Sequence, residues 1–376
     1  MTGSAGIIGL GLIGGSLAMA LKAKCGFTRI SAVNRSLPPL EQAKRDGVVD
    51  DYAALSDLTY DTLRRLFGGC EVIYLCAPVD QIPGHVELLR GVVSPDCILT
   101  DVGSTKMSIY RYMSSAAPLR FIGGHPMAGS EKTGYRNASR YLFENAYYVL
   151  TPMPWVSEPA VNRLTQIIGQ LGAIPMRMAP DAHDAAVATV SHAPHVIAAA
   201  LVNLVQSLDA EGDTRALAAG GFKDLTRIAS SGPEIWQAIS LENRSELLRV
   251  LRSFMGVMRS FEERLDNSDG AAIREFFDSA KIYRDSFANN ASGAYRRIFE
   301  IRVEVEDKPG IIATVAAILS FNGINIKNIG ILNSREYENG VLQILFDDGT
   351  SAKKSADLLK RMNFIVYDQT ETGVQI

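Results

Sequence analysis

Short apolar runs separated by amphipathic stretches open the chain. Residues 5–9, 29–33, 72–77, 98–101, 121–124 and 147–151 carry the strand signal, and 39–46, 81–93 and 105–115 carry helical spacing. Several of the strand runs lack inside–outside alternation, as strands covered on both faces do. This order predicts an α/β, doubly wound parallel sheet wrapped by helices. From about residue 180 the texture changes: 181–206 and 245–265 are long, apolar and helical, with little strand signal between them. Helices apolar on more than one side need burial on more than one side, so an all-α segment shared between two copies, a homodimer, is expected. A third texture begins near residue 299. Strands at 299–305, 325–331, 340–346 and 364–367 and helices at 310–321 and 351–362 spell β-α-β-β-α-β, the ferredoxin-like α+β plan. The predicted domains are 1–178, 179–290 and 298–376, with a linker at 289–297.

Composition narrows the class without changing this picture. The chain has 376 residues, 47% of them hydrophobic, and a net charge of −3, so neither a disordered chain nor a basic nucleic-acid or membrane-surface binder fits. Cys25, Cys70, Cys76 and Cys97 have no metal-finger spacing and read as reduced thiols of a cytoplasmic protein. Residues 5–21 are uncharged, but five glycines within them suit a strand-to-helix turn better than a membrane span or leader.

That turn is the first piece of chemistry. Gly9-Leu10-Gly11-Leu12-Ile13-Gly14 follows a strand and opens a helix. The first glycine permits the turn, the second lets backbone approach a pyrophosphate, and the third packs helix on strand. A dinucleotide site is predicted, completed by Ala77, Pro78 and Asp101 at later strand ends. The second strand ends in Asn34-Arg35-Ser36 where an acidic residue would select NAD. Asn34 repels no phosphate and Arg35 offers a cation, so NADP is admitted beside NAD.

Five histidines follow the turn. His125, in Gly123-Gly124-His125-Pro126-Met127, sits just after a strand, where open sheets place catalytic groups, and its glycines are expected to let substrate approach closely. Ser104 begins a helix at the same sheet edge, as a cap or a hydroxyl contact to ligand. His85 and His183 read as structural or exposed. His192 and His195 are three apart, but no carboxylate pattern accompanies them and no metal is expected. One of them is expected to face the cleft. Arg227, in a mostly apolar stretch, needs an anion, internal or from substrate. Lys132 is a further cation near His125, and Trp236 a candidate pocket wall.

Together Gly9-x-Gly-x-x-Gly14, Asp101-x-Gly-Ser-x-Lys106, Gly124-His-Pro-Met-Ala-Gly-x-Glu131, Ser191-His-x-Pro-His195 and Phe222-Lys-Asp-x-Thr-Arg227 resemble the prephenate dehydrogenase family. Asp307-Lys-Pro-Gly310 and Asn322-Gly-Ile-Asn325-Ile resemble the ligand loop of an ACT domain. The resemblance spans nearly the whole chain. It implies NAD(P)-dependent oxidative decarboxylation of prephenate to 4-hydroxyphenylpyruvate in tyrosine biosynthesis. His125 would be the base and Ser104 its helper, with Arg227, His195, Trp236 and Lys132 toward substrate. An ordinary imidazole would make activity fall below about pH 6–7. The ACT resemblance implies feedback by L-tyrosine bound near Asp307, Gly310, Asn322 and Asn325. The alternatives are an arogenate dehydrogenase, with Glu131 receiving the substrate ammonium, a β-hydroxyacid dehydrogenase using Lys223, and a non-catalytic regulator sensing nucleotide and amino acid.

Overall fold

The computed structural model describes residues 3–116, 118–129, 132–209, 212–289, 299–306, 308–332, 340–346 and 348–368. The chain forms two compact units, Met1–Asp269 and Gly270–Ile376.

The first unit is built on eight strands: β1 (Gly3–Ile8), β2 (Phe27–Asn34), β3 (Asp51–Ala54), β4 (Val72–Leu75), β5 (Ile98–Asp101), β6 (Phe121–Pro126), β7 (Tyr147–Pro152) and β8 (Ile174–Arg177). Their order is β3-β2-β1-β4-β5-β6-β7-β8. Successive residues of β1 point to opposite sides and so seed two cores. Ile7, with Tyr74, Ile122 and Leu150, packs under α1 (Leu12–Lys24) and, after the intervening helices, the helix Glu158–Gln170. Ile8, with Ile73, Leu75 and Leu99, packs on the other face. There α3 (Tyr60–Phe67), α4 (Ile82–Leu89) and α5 (Met107–Ser115) supply Leu63, Phe67, Val86 and Ile109. The remaining helix of this part, α2 (Leu37–Arg45), buries Leu40 and Ala43 in the first core.

The sheet is not wholly parallel, as the strand runs alone had predicted. β7 pairs antiparallel to β6, and β8 pairs parallel to β7. The reason lies in the connection. A parallel return needs a crossover, usually helical, and the only helical element described between β6 and β7 is the short turn Tyr135–Asn137. Two edge strands escaped the sequence reading. β3 (DYAA) and β8 (IPMR) are four residues each and lack a β-branched run.

After α6 (Glu158–Gln170) and β8 the chain turns helical. A long helix is broken into α7 (Pro180–Val187), a π turn (Ala188–His192) and α8 (Ala193–Leu208). Then come α9 (Asp213–Ala216), α10 (Gly220–Thr226), α11 (Pro233–Glu242) and α12 (Arg244–Asp266). Pro180–Leu208 is long and apolar enough to cross a membrane, but it carries the buried polar residues His183, Asp184 and His192, bonded into this unit. Leu208, Leu241, Met255, Val257 and Met258 remain exposed on the single chain.

The second unit opens with α13 (Gly270–Asn289), so this last helix of the expected all-α segment falls there. Apart from Asn289, the expected linker lies outside the described residues. Then β9 (Phe299–Val305), α14 (Ile311–Phe321), β10 (Asn328–Leu332), β11 (Gly340–Phe346), α15 (Gly349–Arg361) and β12 (Ile365–Asp368) follow in the β-α-β-β-α-β order. They form an antiparallel sheet ordered β10-β11-β9-β12. Ile301, Val303, Leu342 and Ile344 pack against Val315, Leu319, Ala356 and Leu359 of its two helices.

The glycine turn is held tightly from behind and open in front. Gly9 has φ +99°, and a Cβ there would stand 2.6 Å from the Cys76 carbonyl oxygen. A Cβ on Gly14 would overlap the Gly9 carbonyl oxygen, whereas one on Gly11 meets nothing within 4 Å. Gly14→Ala is expected to cost about 1–3 kcal/mol through overpacking, read as a fall of several degrees in the thermal midpoint. Gly11→Ala should leave that midpoint at the native value.

Candidate active site

The carboxyl ends of β1, β4, β5 and β6 face the helical part of the first unit across a cavity of about 660 Å³. The cavity gathers most of the residues singled out above. Gly11, Leu12, Ile13 and Gly14 line it from the turn, Ala77 and Pro78 from the end of β4, and Ser104 and His125 from β5 and β6. His195, Arg227 and Trp236 close it from the helical side, and Lys132 lines it from the connection after β6.

At the turn the residues fit a dinucleotide. Gly11 offers open space, and the first turn of α1 has no side-chain cap to compete for its backbone N–H groups. Leu10 buries its side chain in the core, and its N–H donates to Asn34 Oδ1 at 3.0 Å. Asn34 Nδ2 in turn donates to the Ser36 carbonyl at 3.1 Å. Asn34 therefore braces the turn from the end of β2 with both ends of its amide. Arg35 and Ser36 are exposed and do not line the cavity.

Asp101 does not reach the cavity. It is fully buried and spends its carboxylate inside the protein. Oδ1 accepts from Gly124 N at 3.0 Å, and Oδ2 accepts from Gly103 N at 2.8 Å and from Lys106 Nζ. The Lys106 ammonium is equally buried; burial pulls its pKa down and Asp101 pulls it back up. This pair also corrects the reading of the glycines before His125. A Cβ on Gly123 would overlap Thr151 Oγ1, and one on Gly124 would stand 2.5 Å from the Asp101 carbonyl oxygen. Those glycines admit protein neighbours, not substrate.

His125 ends a chain of buried polar groups. Its Nδ1 lies 2.8 Å from His183 Nε2, and His183 Nδ1 lies 2.7 Å from Asp184 Oδ1. Asp184 also accepts from the backbone N–H of Lys106 at 2.7 Å and of Met107 at 2.9 Å, so it caps α5 from α7. Asn243 Nδ2 donates to the Asp184 carbonyl at 2.8 Å and stands 3.2 Å from His192 Nδ1. His183, expected to be structural or exposed, is fully buried against the candidate base. Burial, with His183, Lys106 and His192 adding to it, holds the His125 pKa well below the ordinary imidazole value. The expected loss of activity near pH 6–7 moves to lower pH accordingly.

The π turn sets the two later histidines. The Ala193 N–H donates to the Ala188 carbonyl five residues back, just before Pro194, which has no N–H to give. His192 is turned inward and buried, and burial pushes its pKa down to about 4. His195 donates from Nδ1 to the Ser191 carbonyl at 2.9 Å, and its ring stacks on Trp236 with centroids 3.7 Å apart. His195 is thus the one that faces the cleft. Arg227 and Lys132 are exposed at the cavity rim, not enclosed among apolar side chains as expected for Arg227. Glu131 lies outside the described residues. Among the described residues, no three histidine, cysteine or carboxylate side chains come together as a metal would require.

The sequence reading missed Asp184, Asn243 and the role of His183. The only signal was a His-Asp pair on the first turns of an otherwise alanine-rich helix.

Models of the prephenate dehydrogenase nucleotide-binding domain and dimerization domain match residues 17–176 and 179–279. The chain belongs to the prephenate dehydrogenase family. It is 34% identical to a prephenate dehydrogenase of Bacillus subtilis, over 94% of this chain and 95% of that one. A solved prephenate dehydrogenase from A. aeolicus, in complex with hydroxyphenyl propionate and NAD+, is 26% identical with a TM-score of 0.71. That match covers 76% of this chain and 99% of the other. Synechocystis arogenate dehydrogenase is 30% identical with a TM-score of 0.64, covering 76% of this chain and 99% of its own. The family's second domain carries dimerization in its description, which agrees with the exposed apolar residues of α8, α11 and α12.

The buried imidazoles make stability depend on pH. His125 and His192 have folded-state pKa values below the unfolded value of about 6.5. Below that value the unfolded chain binds more protons, so stability is complete above it and falls as pH drops toward 4. Urea unfolding at pH 5.5 should show a loss of about 1 kcal/mol per buried imidazole relative to pH 7.5.

Proposed function

We infer that the cavity is the active site of a NAD-dependent prephenate dehydrogenase, which oxidises and decarboxylates prephenate to 4-hydroxyphenylpyruvate on the route to L-tyrosine. The observation that carries this reading is His125, an imidazole at the end of β6 in the same cavity as the glycine turn. Its Nδ1 is taken by His183, which leaves Nε2 for substrate. Bound at the turn, the nicotinamide cofactor supplies the hydride acceptor. His125 Nε2 takes the proton of the C4 hydroxyl as hydride leaves C4, and Ser104 orients that hydroxyl. The C1 carboxylate then departs as carbon dioxide, its bonding pair enters the ring, and the C4 oxygen takes the proton back from His125. Arg227 and Lys132 hold substrate carboxylates. The His195–Trp236 stack walls the ring side and keeps water out.

The domain reading that goes with this is a nucleotide-binding domain over 1–178, a helical dimerisation domain over 179–290 and an ACT domain over 298–376, in a cytoplasmic homodimer. The β-α-β-β-α-β plan supports the ACT assignment. Gly310 has φ +88° at the start of α14, and Asn322 and Asn325 are exposed near that helix's far end. Where two such domains pair side by side, Gly310 and Asp307 (the latter outside the described residues) from one and Asn322 and Asn325 from the other would hold L-tyrosine at the interface. The 30% identity to an arogenate dehydrogenase favours one second reading, the same chemistry on the amino analogue of the substrate.

Turnover of prephenate and arogenate, each with NAD and NADP, tests the reading: prephenate with NAD should have the highest kcat/KM. His125→Asn should lower kcat about 10²–10⁴-fold with KM for prephenate little changed, while Arg227→Ala should mainly raise KM. Because His125 must be neutral to act and its pKa is depressed, the acid limb of kcat/KM should lie below pH 6.5. Removing residues 291–376 should leave catalysis and abolish inhibition by L-tyrosine; inhibition that survives would place tyrosine in the catalytic cavity.

A further inference from the structure

We propose that His183 and Asp184 are positioning residues that hold His125 in its Nδ1–H tautomer, keeping Nε2 bare and aimed at the substrate hydroxyl; this rests on the reading of His125 as the base. The argument begins at Asp184. Its side chain is nearly fully buried and accepts from the backbone N–H groups of Lys106 and Met107. α5 has no side-chain cap from its own N-terminal residues, so these two donors would otherwise be orphaned. A carboxylate taking two N–H bonds at a helix N-terminus is ionised and acts only as an acceptor.

The proton between Asp184 and His183 therefore sits on His183 Nδ1. In a neutral His183 that leaves Nε2 as a lone pair, 2.8 Å from His125 Nδ1. His125 then donates from Nδ1 and presents Nε2 without a proton. This is the form a base needs, and it is the minor tautomer of a neutral histidine side chain free in water. When the hydroxyl proton arrives at Nε2, His125 carries hydrogens on both nitrogens and His183 still accepts from Nδ1. No proton has to move along the chain. The negative charge of Asp184 lies one ring away from the positive charge that forms, in surroundings where such interactions are strong.

The geometry is held from several sides. Asp184 is fixed by α5 and His183 by Asp184, and Asn243, at the junction of α11 and α12, ties down the backbone of the turn that carries both. The His125 ring meets the His183 ring edge to face, with centroids 5.0 Å apart, so neither can rotate alone without losing the bond between them.

The test is made on the full-length enzyme. With ¹⁵N-labelled histidine, the His125 resonance is identified by its loss in His125→Asn, and the wild type should show Nδ1 protonated and Nε2 bare. His183→Phe keeps a ring but has no acceptor, and should lower kcat about 10–100-fold, as loss of an imidazole's outer partner does. KM for prephenate and NAD affinity should stay near the native values. His183→Gln places its Oε1 where Nε2 stood and should restore most of kcat. A wild-type His125 protonated on Nε2 would overturn the proposal, as would His183→Phe with native kcat. Should His183→Phe not fold, the wild-type spectrum and the rescue by Gln still decide. A correct tautomer in a protein that turns over no prephenate would sink the substrate reading and leave this one standing.

Discussion

One carboxylate joins the two halves of the first unit. Asp184 belongs to the helical part, yet three of its partners bear on the sheet: the N-terminus of α5 through two backbone bonds, and, through His183, the imidazole at the end of β6. Charge-assisted bonds of this kind are stronger than neutral ones, and an orphaned buried charge is expensive. The carboxylate is stable where it is only if all its partners keep their places. The cavity lies beside this joint, so the geometry of its walls is inherited from a set of groups that cannot be separated singly.

A second buried carboxylate does similar work on the sheet itself. Asp101 binds Lys106, Gly103 and Gly124, which locks the exit of β5, the start of α5 and the approach to His125 into one piece. Two acidic side chains thus grip opposite ends of the same short segment, residues 101–107. The His125 imidazole stands on a scaffold made rigid by electrostatics as much as by packing. Burial pushes the thiols of the four free cysteines up, those of Cys25 and Cys70 to about 11 and those of Cys76 and Cys97 higher still.

Much of this was legible in the residues. The glycine turn, the strand ends bearing Ser104 and His125, and the two-helix, four-strand plan of the second unit all leave local signatures, because each depends on neighbours close in sequence. What stayed hidden depends on neighbours far away. β3 and β8 are too short for their pattern to stand out, and become strands because an adjacent edge is open to pair with. The reversal at β7 follows from a connection without a crossover helix, which no strand run records. Asp101 looked like a cofactor ligand because its place at a strand end is the same whether its side chain turns out or in. His183 looked idle because its partner, His125, lies 58 residues away.

The π turn at Ala188–His192 has a consequence for helical phase. Each residue in a helix turns the chain by about 100°, so the extra residue accommodated there resets every side chain that follows. Upstream of it His183 and Asp184 are aligned with the sheet; downstream His195 is aligned with Trp236 and the cavity. A regular helix of the same sequence, one residue shorter, would satisfy either alignment and forfeit the other. The irregular turn works as a vernier: it lets a single rod engage His125 on one side and the wall of the cavity on the other.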